Sequence, residues 1–224
     1  IDCILTDHPW LDKKSNKVRT RAFAEYDCFR YTLDDFKEKA RVLKAGCFLV
    51  EVLPAENENN YEYLYQIKQY AKEAGFVYYS KVSWKKGTFV SNTGRKAKNT
   101  QDIMIFSKGK ARNMRYDKKK SDLTGKKCYM SGCNGMLPAM FDVQPVARKN
   151  KIHQSELPVQ LCEEILEYVT YEGEIILDSF AGSGAVGVAA LNKKRSCILI
   201  EILKENIEKI RTRFNSVLYQ TVLE

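Results

Sequence analysis

No stretch of this 224-residue chain approaches the run of about 18 apolar residues that a membrane-spanning helix needs. No basic segment followed by an apolar one opens it, so the expectation is a soluble chain without an export signal. The first residue is Ile1, not methionine, which reads as a fragment or a processed chain. Cysteine occurs seven times (Cys3, Cys28, Cys47, Cys128, Cys133, Cys162, Cys197), an odd number for a closed disulfide framework. Most of these lie in apolar runs, where a free thiol behaves as a small hydrophobe, so a reducing cytosol is expected. Histidine occurs only twice. Cys128 and Cys133 therefore lack both a second pair and a nearby histidine to complete a four-ligand zinc site, and no metal is expected. Internal repeats are absent.

Acidic residues are scarce in one region. Between Lys81 and Lys151 there are 18 Lys or Arg against four acids (Asp102, Asp117, Asp122, Asp142), a net of +14 in a chain whose total is +9. The remainder must then carry −5. Such asymmetry points to a polyanion met by one face. A solvated lysine-rich loop is the competing reading.

The length suits one sizeable α/β domain or two small ones, and the 44% of apolar residues is enough for a packed core. "IDCILT" reads as a buried strand ending at Asp7. Thr32, with Asp35 three residues on, caps a helix carrying Leu33, Phe36, Ala40 and Leu43 on one face and stopped by Gly46. "CFLVEVL" (47–53) is a strand. A helix follows from Tyr61 to Ala74, with Leu64, Ile67 and Ala71 in register. "FVYYSKVSW" (76–84) and "QDIMIFS" (101–107) are strands flanking a loop. From 108 to about 143 no periodicity is strong. A helix is expected near Glu156 with Leu157, Leu161, Ile165 and Val169 aligned. "EIILD" (174–178) and "SCILIE" (196–201) are strands around the helix "AVGVAALN". A last helix starts near Lys204, with Ile207, Ile210, Phe214 and Val217 on its buried side. Strand–helix alternation predicts a largely parallel sheet covered on both faces.

The segment "ILDSFAGSGAVGVAAL" is a strand, a glycine turn and a helix. Gly182 and Gly184 let the backbone turn sharply and approach a ligand, and the helix presents free N–H groups at its positive end. Asp178 closes the strand. Glu201 ends the next strand about 20 residues on, where an acid accepts hydrogen bonds from ribose hydroxyls. The combination indicates a nucleoside cofactor; a simple strand-to-helix turn is the alternative. No lysine follows the glycines, which excludes a phosphate-binding P-loop. The early "TDHPW" (6–10) sets a carboxylate, a rigid proline and an indole at a strand end. Alone it is equally a plain turn.

Together these segments resemble the amino-methyltransferases of DNA that use S-adenosylmethionine (SAM). "DSFAGSG" resembles their cofactor motif D-x-F-x-G-x-G. "TDHPW" resembles their catalytic motif D-P-P-Y or D-P-P-W. "HQSELPVQLCEEIL" (153–166) resembles the H-P-T-x-K-P segment, although Leu157 stands where lysine is usual. "EYLYQIKQYAKEAGFVYYSKVSWKKG" and "DIMIFSKGK" resemble the units between them. The catalytic motif comes first and the cofactor motif last, as in the circularly permuted β class, and the resemblance runs from Ile1 to about Phe214.

The resemblance implies a Rossmann-like α/β fold with a mostly parallel twisted sheet. One catalytic domain would span 1–224, with a short target-recognition-like insertion at 112–150. The cofactor would meet Asp7, Ser155, Asp178, Phe180, Ala181, Gly182, Ser183, Gly184, Glu201 and Ile202. Asp7, His8, Pro9 and Trp10 would form the catalytic corner. The Asp7 carboxylate and the main-chain carbonyl of residue 8 accept the amine's N–H bonds, Pro9 stiffens the turn, and Trp10 stacks on a base flipped from duplex DNA. Lys85, Lys86, Arg95, Lys96 and Lys98 would meet phosphates. His8 departs from the family's usual proline; a general-base role for it is an alternative. Asp at position 7 resembles adenine-N6 members more than cytosine-N4 ones. Cytosine-N4 or RNA methylation, a small-molecule methyltransferase, and a non-catalytic nucleic-acid binder keeping the fold are the rivals. A homodimer and a cytoplasmic place in a bacterial or phage-infected cell follow by analogy. In the permuted order a further strand normally precedes the catalytic motif, so either upstream residues, with another domain among them, or "SVLYQTVL" (216–223) would supply that edge.

Overall fold

The computed structural model of the protein describes residues 1–10, 30–87, 100–114, 135–152 and 156–222, with the side chain of Arg148 and those beyond Ser216 left out. The first strand, β1 (Cys3–Thr6), is buried along its whole length. Helix α1 (Leu33–Val42) follows, and the main-chain N–H of Thr32 donates to Asp35 Oδ2 at 2.7 Å, one half of the expected capping box. Then come β2 (Phe48–Pro54), α2 (Tyr61–Glu73), β3 (Phe76–Lys85) and β4 (Thr100–Lys108). A two-residue strand β5 (Met140–Phe141) and a 3-10 turn over Arg148–Asn150 precede α3 (Val159–Val169). The chain closes with β6 (Ile175–Asp178), α4 (Ala185–Asn192), β7 (Ser196–Leu199) and α5 (Lys204–Val222).

The described strands form one sheet in the order β5-β3-β4-β2-β1-β6-β7. β1 runs parallel to both β2 and β6, β6 parallel to β7, and β3 parallel to β5. Only β4 is reversed, antiparallel to β2 and β3. The cause is visible in the sequence: no helical segment separates 76–84 from 101–107, and strands joined without a crossover pair antiparallel. The expected, mostly parallel sheet is thus observed.

Period-two alternation divides the core. Cys3 and Leu5 face one cluster with Leu161, Ile165, Ala185 and Ala189 from α3 and α4. Ile4 faces the other, with Phe36, Leu64 and Ile67 from α1 and α2. Strands buried on both faces read as continuous apolar runs, which is why "CILT" and "FLVEVL" carry so little polarity.

Three expectations change. The helix expected near Glu156 starts at Val159, with Pro158 as its N-cap. Proline disfavours helical backbone at the residue before it, so Leu157 enters the core from outside the helix, 8% exposed. The strand considered for 216–223 is helical through Val222, because extending a formed helix costs less than starting a new element, whatever the β-branched composition. The side chain of Val217 lies outside those described. Third, β5 arises inside the aperiodic third of the chain and pairs Ser83 with Met140 and Trp84 with Phe141. Its hold is a side chain: the buried Trp84 indole donates to the Val143 carbonyl at 2.8 Å.

Among the described residues no helix is long and apolar enough to cross a membrane. Cys3, Cys47, Cys162 and Cys197 are free thiols, while Cys28, Cys128 and Cys133 fall outside the described residues.

Leu161 is fully buried between the sheet and α4. Leu161→Ala is expected to cost about 2–5 kcal/mol, read from the urea midpoint of unfolding.

Candidate active site

β1 and β6 are hydrogen-bonded neighbours running the same way, so the segments after Thr6 and after Asp178 leave the sheet side by side. The Thr6 hydroxyl donates to Asp178 Oδ1 at 2.9 Å. With that proton committed, the Ser179 hydroxyl, 3.3 Å away, donates to Thr6. The Phe180 N–H also donates to Asp178 Oδ1, at 3.0 Å. Residues 172 positions apart are thereby joined.

Asp7 follows at once, half-buried, with the Trp10 indole N–H donating to Oδ1 at 3.4 Å. Burial pushes its carboxyl up to about 7; the Lys86 ammonium and the Trp10 bond pull the other way, and Asp178 and Glu51 add to the rise. Burial likewise pushes Asp178 up to about 7, against the Phe180 N–H and the Thr6 hydroxyl. Glu51, on β2 opposite Thr6, is fully buried, and burial raises it despite Lys39. Lys39 Nζ donates to Glu51 Oε1 at 2.5 Å and Tyr31 Oη donates to Oε2 at 3.1 Å.

The glycine turn has the expected conformation. Gly182 and Gly184 have φ of +52° and +74°, values that glycine adopts without the cost of a Cβ. The Gly182 N–H donates to Glu201 Oε2 at 2.8 Å, and the Leu203 N–H donates to Oε1 at 2.9 Å. Ala181 and Ser183 are buried, and the Ser183 carbonyl accepts from Arg213 at 3.0 Å. Arg213 also pairs with Glu156 at 2.7 Å, which ties α5 to the segment before α3. Phe180 is half-buried, whereas Ile202 is 91% exposed.

His8 is 1% exposed. Its Nε2 meets the Tyr63 hydroxyl at 2.7 Å, and its ring lies 4.0 Å from that of Tyr31, centre to centre. Burial, aided by the Lys39 charge, lowers its pKa to about 3. A buried imidazole of that pKa, already engaged by Tyr63, does not favour the general-base alternative. Pro9 and Trp10 stay half-buried beside it.

Of the five basic candidates, two are described. Lys85 pairs with Asp142 at 2.7 Å. Lys86 is half-buried with its ammonium 4.7 Å from the centre of the Trp84 ring; burial lowers it to about 8, and Asp7 opposes that fall. Lys86 thus belongs electrostatically to the Asp7 corner. Arg95, Lys96, Lys98 and Ser155 lie outside the described residues, as does 115–134 of the expected insertion.

Comparison with known proteins agrees with this arrangement. The family model described as DNA methylase, of the N6/N4 type, matches residues 1–212. The chain belongs to this family. Among curated relatives, the type II methyltransferase M.HpaI of Haemophilus parainfluenzae is 29% identical over 161 residues, covering 69% of this chain and 50% of that protein. M.BglI of Bacillus subtilis is 40% identical over 57 residues, 25% of this chain and 16% of that protein. The matches span half or less of those relatives' length. In fold, this DNA methylase chain is similar to the M1.HpyAVI–SAM complex (TM-score 0.68, 23% identity, 96% of this chain and 89% of that one). It is also similar to the PvuII cytosine-N4-specific DNA methyltransferase (TM-score 0.62, 17% identity, 98% and 86%).

Sequence reasoning passed over Thr6, Glu51, Lys39, Tyr31 and Tyr63, which hold the corner from below. Thr6 stood inside the quoted motif. Nothing local marks the other four, since their partners lie 12 to 55 residues away.

Thr6→Val removes a hydroxyl bonded to a buried carboxylate. Asp178 then loses stabilisation of its charged form and its pKa rises further. The expected loss is about 1.5–3 kcal/mol at pH 8, shrinking at pH 5.5, where Asp178 is protonated in the folded chain. Urea unfolding at the two pH values measures it.

Proposed function

We propose that this chain transfers the methyl group of SAM to the exocyclic amine of a base extruded from DNA, with adenine N6 the acceptor. The observation that carries the reading is the Thr6–Asp178 hydrogen bond, which brings the acid-and-indole corner and the glycine turn to one end of adjacent strands.

The residues fit SAM. Each Glu201 oxygen accepts one main-chain N–H. A carboxylate has about four acceptor positions, so two remain for a ribose diol. The left-handed glycines supply the close backbone approach. Asp7, Asp178 and Glu201 make the rim anionic, which suits a cation. SAM, when bound, supplies an electrophilic methyl on a positive sulfonium.

The chain's own residues do the rest. An exocyclic amine is a weak nucleophile because its lone pair is delocalised into the ring. Two acceptors aimed at its N–H bonds favour the pyramidal nitrogen, and Asp7 together with the His8 main-chain carbonyl forms such a pair. A carboxyl whose pKa lies near 7 is also a competent acceptor for the proton that leaves the methylated nitrogen. Trp10 offers a face to the extruded base, a contact worth about 1–3 kcal/mol. Aspartate at position 7, in place of serine, is what favours adenine. The basic stretch supports duplex DNA over a small molecule, and a steep fall of DNA affinity with salt would accompany it.

Asp7→Ala is expected to lower turnover by about 10²–10³-fold while SAM binding, followed by calorimetry, largely persists through Asp178 and Glu201. Mass analysis of digested DNA and RNA after incubation with labelled SAM identifies the product: N6-methyladenine is expected, whereas N4-methylcytosine or labelled RNA would redirect the reading. Normal methylation by Asp7→Ala would sink the mechanism, and a wild-type chain that binds DNA and SAM without turnover would leave only a binding module.

SAM affinity is also expected to depend on pH. Burial brings the carboxyls of Asp7 and Asp178 each to about 7 in the ligand-free chain. A bound cation favours their charged forms, so affinity strengthens from pH 6 to pH 8, by up to about tenfold per pH unit for each proton released. Calorimetry in buffers of different ionisation enthalpy counts those protons.

A further inference from the structure

We infer that Tyr63 is a positioning residue for the catalytic corner: its hydroxyl clasps the imidazole of His8 and the main-chain N–H of Tyr31, and so fixes the His8 carbonyl. The inference rests on the reading that this carbonyl is the second acceptor for the amine. Tyr63 sits on α2, 55 residues from His8 and outside both motifs. It is 5% exposed.

The donor pattern follows from the contacts. The Tyr63 oxygen accepts from the Tyr31 N–H at 3.1 Å, which directs its own proton to His8 Nε2 at 2.7 Å. His8 Nε2 is then an acceptor in a neutral ring whose proton is on Nδ1. The groups facing the imidazole agree with neutrality. Tyr31 lies 4.0 Å from it, centre to centre, Tyr63 lies at 5.9 Å and Phe180 at 6.3 Å. The Lys39 ammonium, 3.5 Å from the centre of the Tyr31 ring, repels an imidazolium. Tyr31 is itself anchored through its hydroxyl to Glu51. One phenol on a rigid helix therefore holds the side chain of residue 8 and the chain at residue 31 together. A ring clamped at Nε2 and packed against a tilted aromatic leaves its own main-chain carbonyl little freedom, and misplacing a reacting group by about 1 Å can cost a hundredfold in rate.

Tyr63→Phe keeps the ring and removes the clasp. The expected result is a fall in kcat of about tenfold, with KM for DNA and the calorimetric Kd for SAM within twofold of the parent. His8→Leu is expected to lose a similar factor, and Tyr63→Phe added to His8→Leu to cost little more, because both remove one bond. A Tyr63→Phe variant that turns over normally overturns the inference. So does one whose SAM affinity or melting temperature falls in step with kcat, since that marks a merely structural tyrosine. A second readout needs no activity. The chain has two histidines, so [15N]histidine labelling leaves two imidazoles to assign. His8 Nε2 is expected to resonate as an unprotonated, hydrogen-bonded nitrogen and to move downfield in Tyr63→Phe; an Nε2 signal indifferent to the change rejects the clasp. If the wild-type chain transfers no methyl group yet this signal responds, the clasp stands and the proposed activity fails.

Discussion

Three carboxylates meet across three neighbouring parallel strands, two of them at strand ends and Glu51 within β2, and the rest of the site is arranged around holding them there. Glu51, Asp7 and Asp178 belong to β2, the end of β1 and β6. Burial raises all three, and each raises or is raised by another. Like charges drawn out of water would protonate or push the strands apart unless each were held separately. Glu51 has Lys39 and the Tyr31 hydroxyl; Asp178 has the Thr6 hydroxyl and the Phe180 N–H; Asp7 has the Trp10 indole and the nearby Lys86 charge. The partners grow weaker in that order. Glu51 has a full ion pair and is structural. Asp7, with one long hydrogen bond among the described residues, retains most of its accepting capacity there for something else.

The fold makes that concentration of charge tolerable. Sandwiching the central strands between α1 and α2 on one side and α3 and α4 on the other buries β1 and β2 completely. Those runs anchor the strand ends, so the polar groups beyond Thr6 are positioned by apolar packing they do not themselves supply. α5 adds a second constraint from the cofactor side. A Cβ at Gly187 would lie 2.5 Å from the tip of the Phe214 ring and 2.8 Å from a Leu199 methyl, so any side chain there would make both side chains shift where α4 meets α5. Gly187 therefore serves helix packing, whereas Gly182 and Gly184, at positive φ, serve the turn.

The sequence disclosed what is written in short-range pattern. Apolar runs located β1, β2, β4 and β6, and the helical repeat of Leu161, Ile165 and Val169 located α3, although the proline that sets its start was undervalued. The glycine turn and the acid one strand later were legible because their spacing is fixed by a single strand–helix–strand unit. What stayed hidden depends on distant partners. β5 has two residues and exists through the Trp84–Val143 bond, 59 positions apart. Lys86 read as one more phosphate contact until its half-burial beside Trp84 tied it to Asp7. Lys39 carried no mark in the sequence, and it is 7% exposed and paired to Glu51.

The corner also says why histidine can stand at position 8. A proline there would lock its own φ, an advantage of about 0.4–1 kcal/mol that comes largely from a less free unfolded chain. Histidine gives up that restriction. One buried hydrogen bond contributes about 0.5–1.5 kcal/mol net, so the bond to Tyr63 is of the right size to offset the loss. The substitution changes what kind of constraint operates: a local covalent ring gives way to a long-range contact that links the corner to α2 and Tyr31. Such a link would be fragile if the imidazole titrated in the physiological range. Its pKa, lowered to about 3 by burial and by Lys39, keeps it neutral through the physiological range. This histidine works as a fixed neutral anchor, and the titrating groups of the site are the two aspartates beside it.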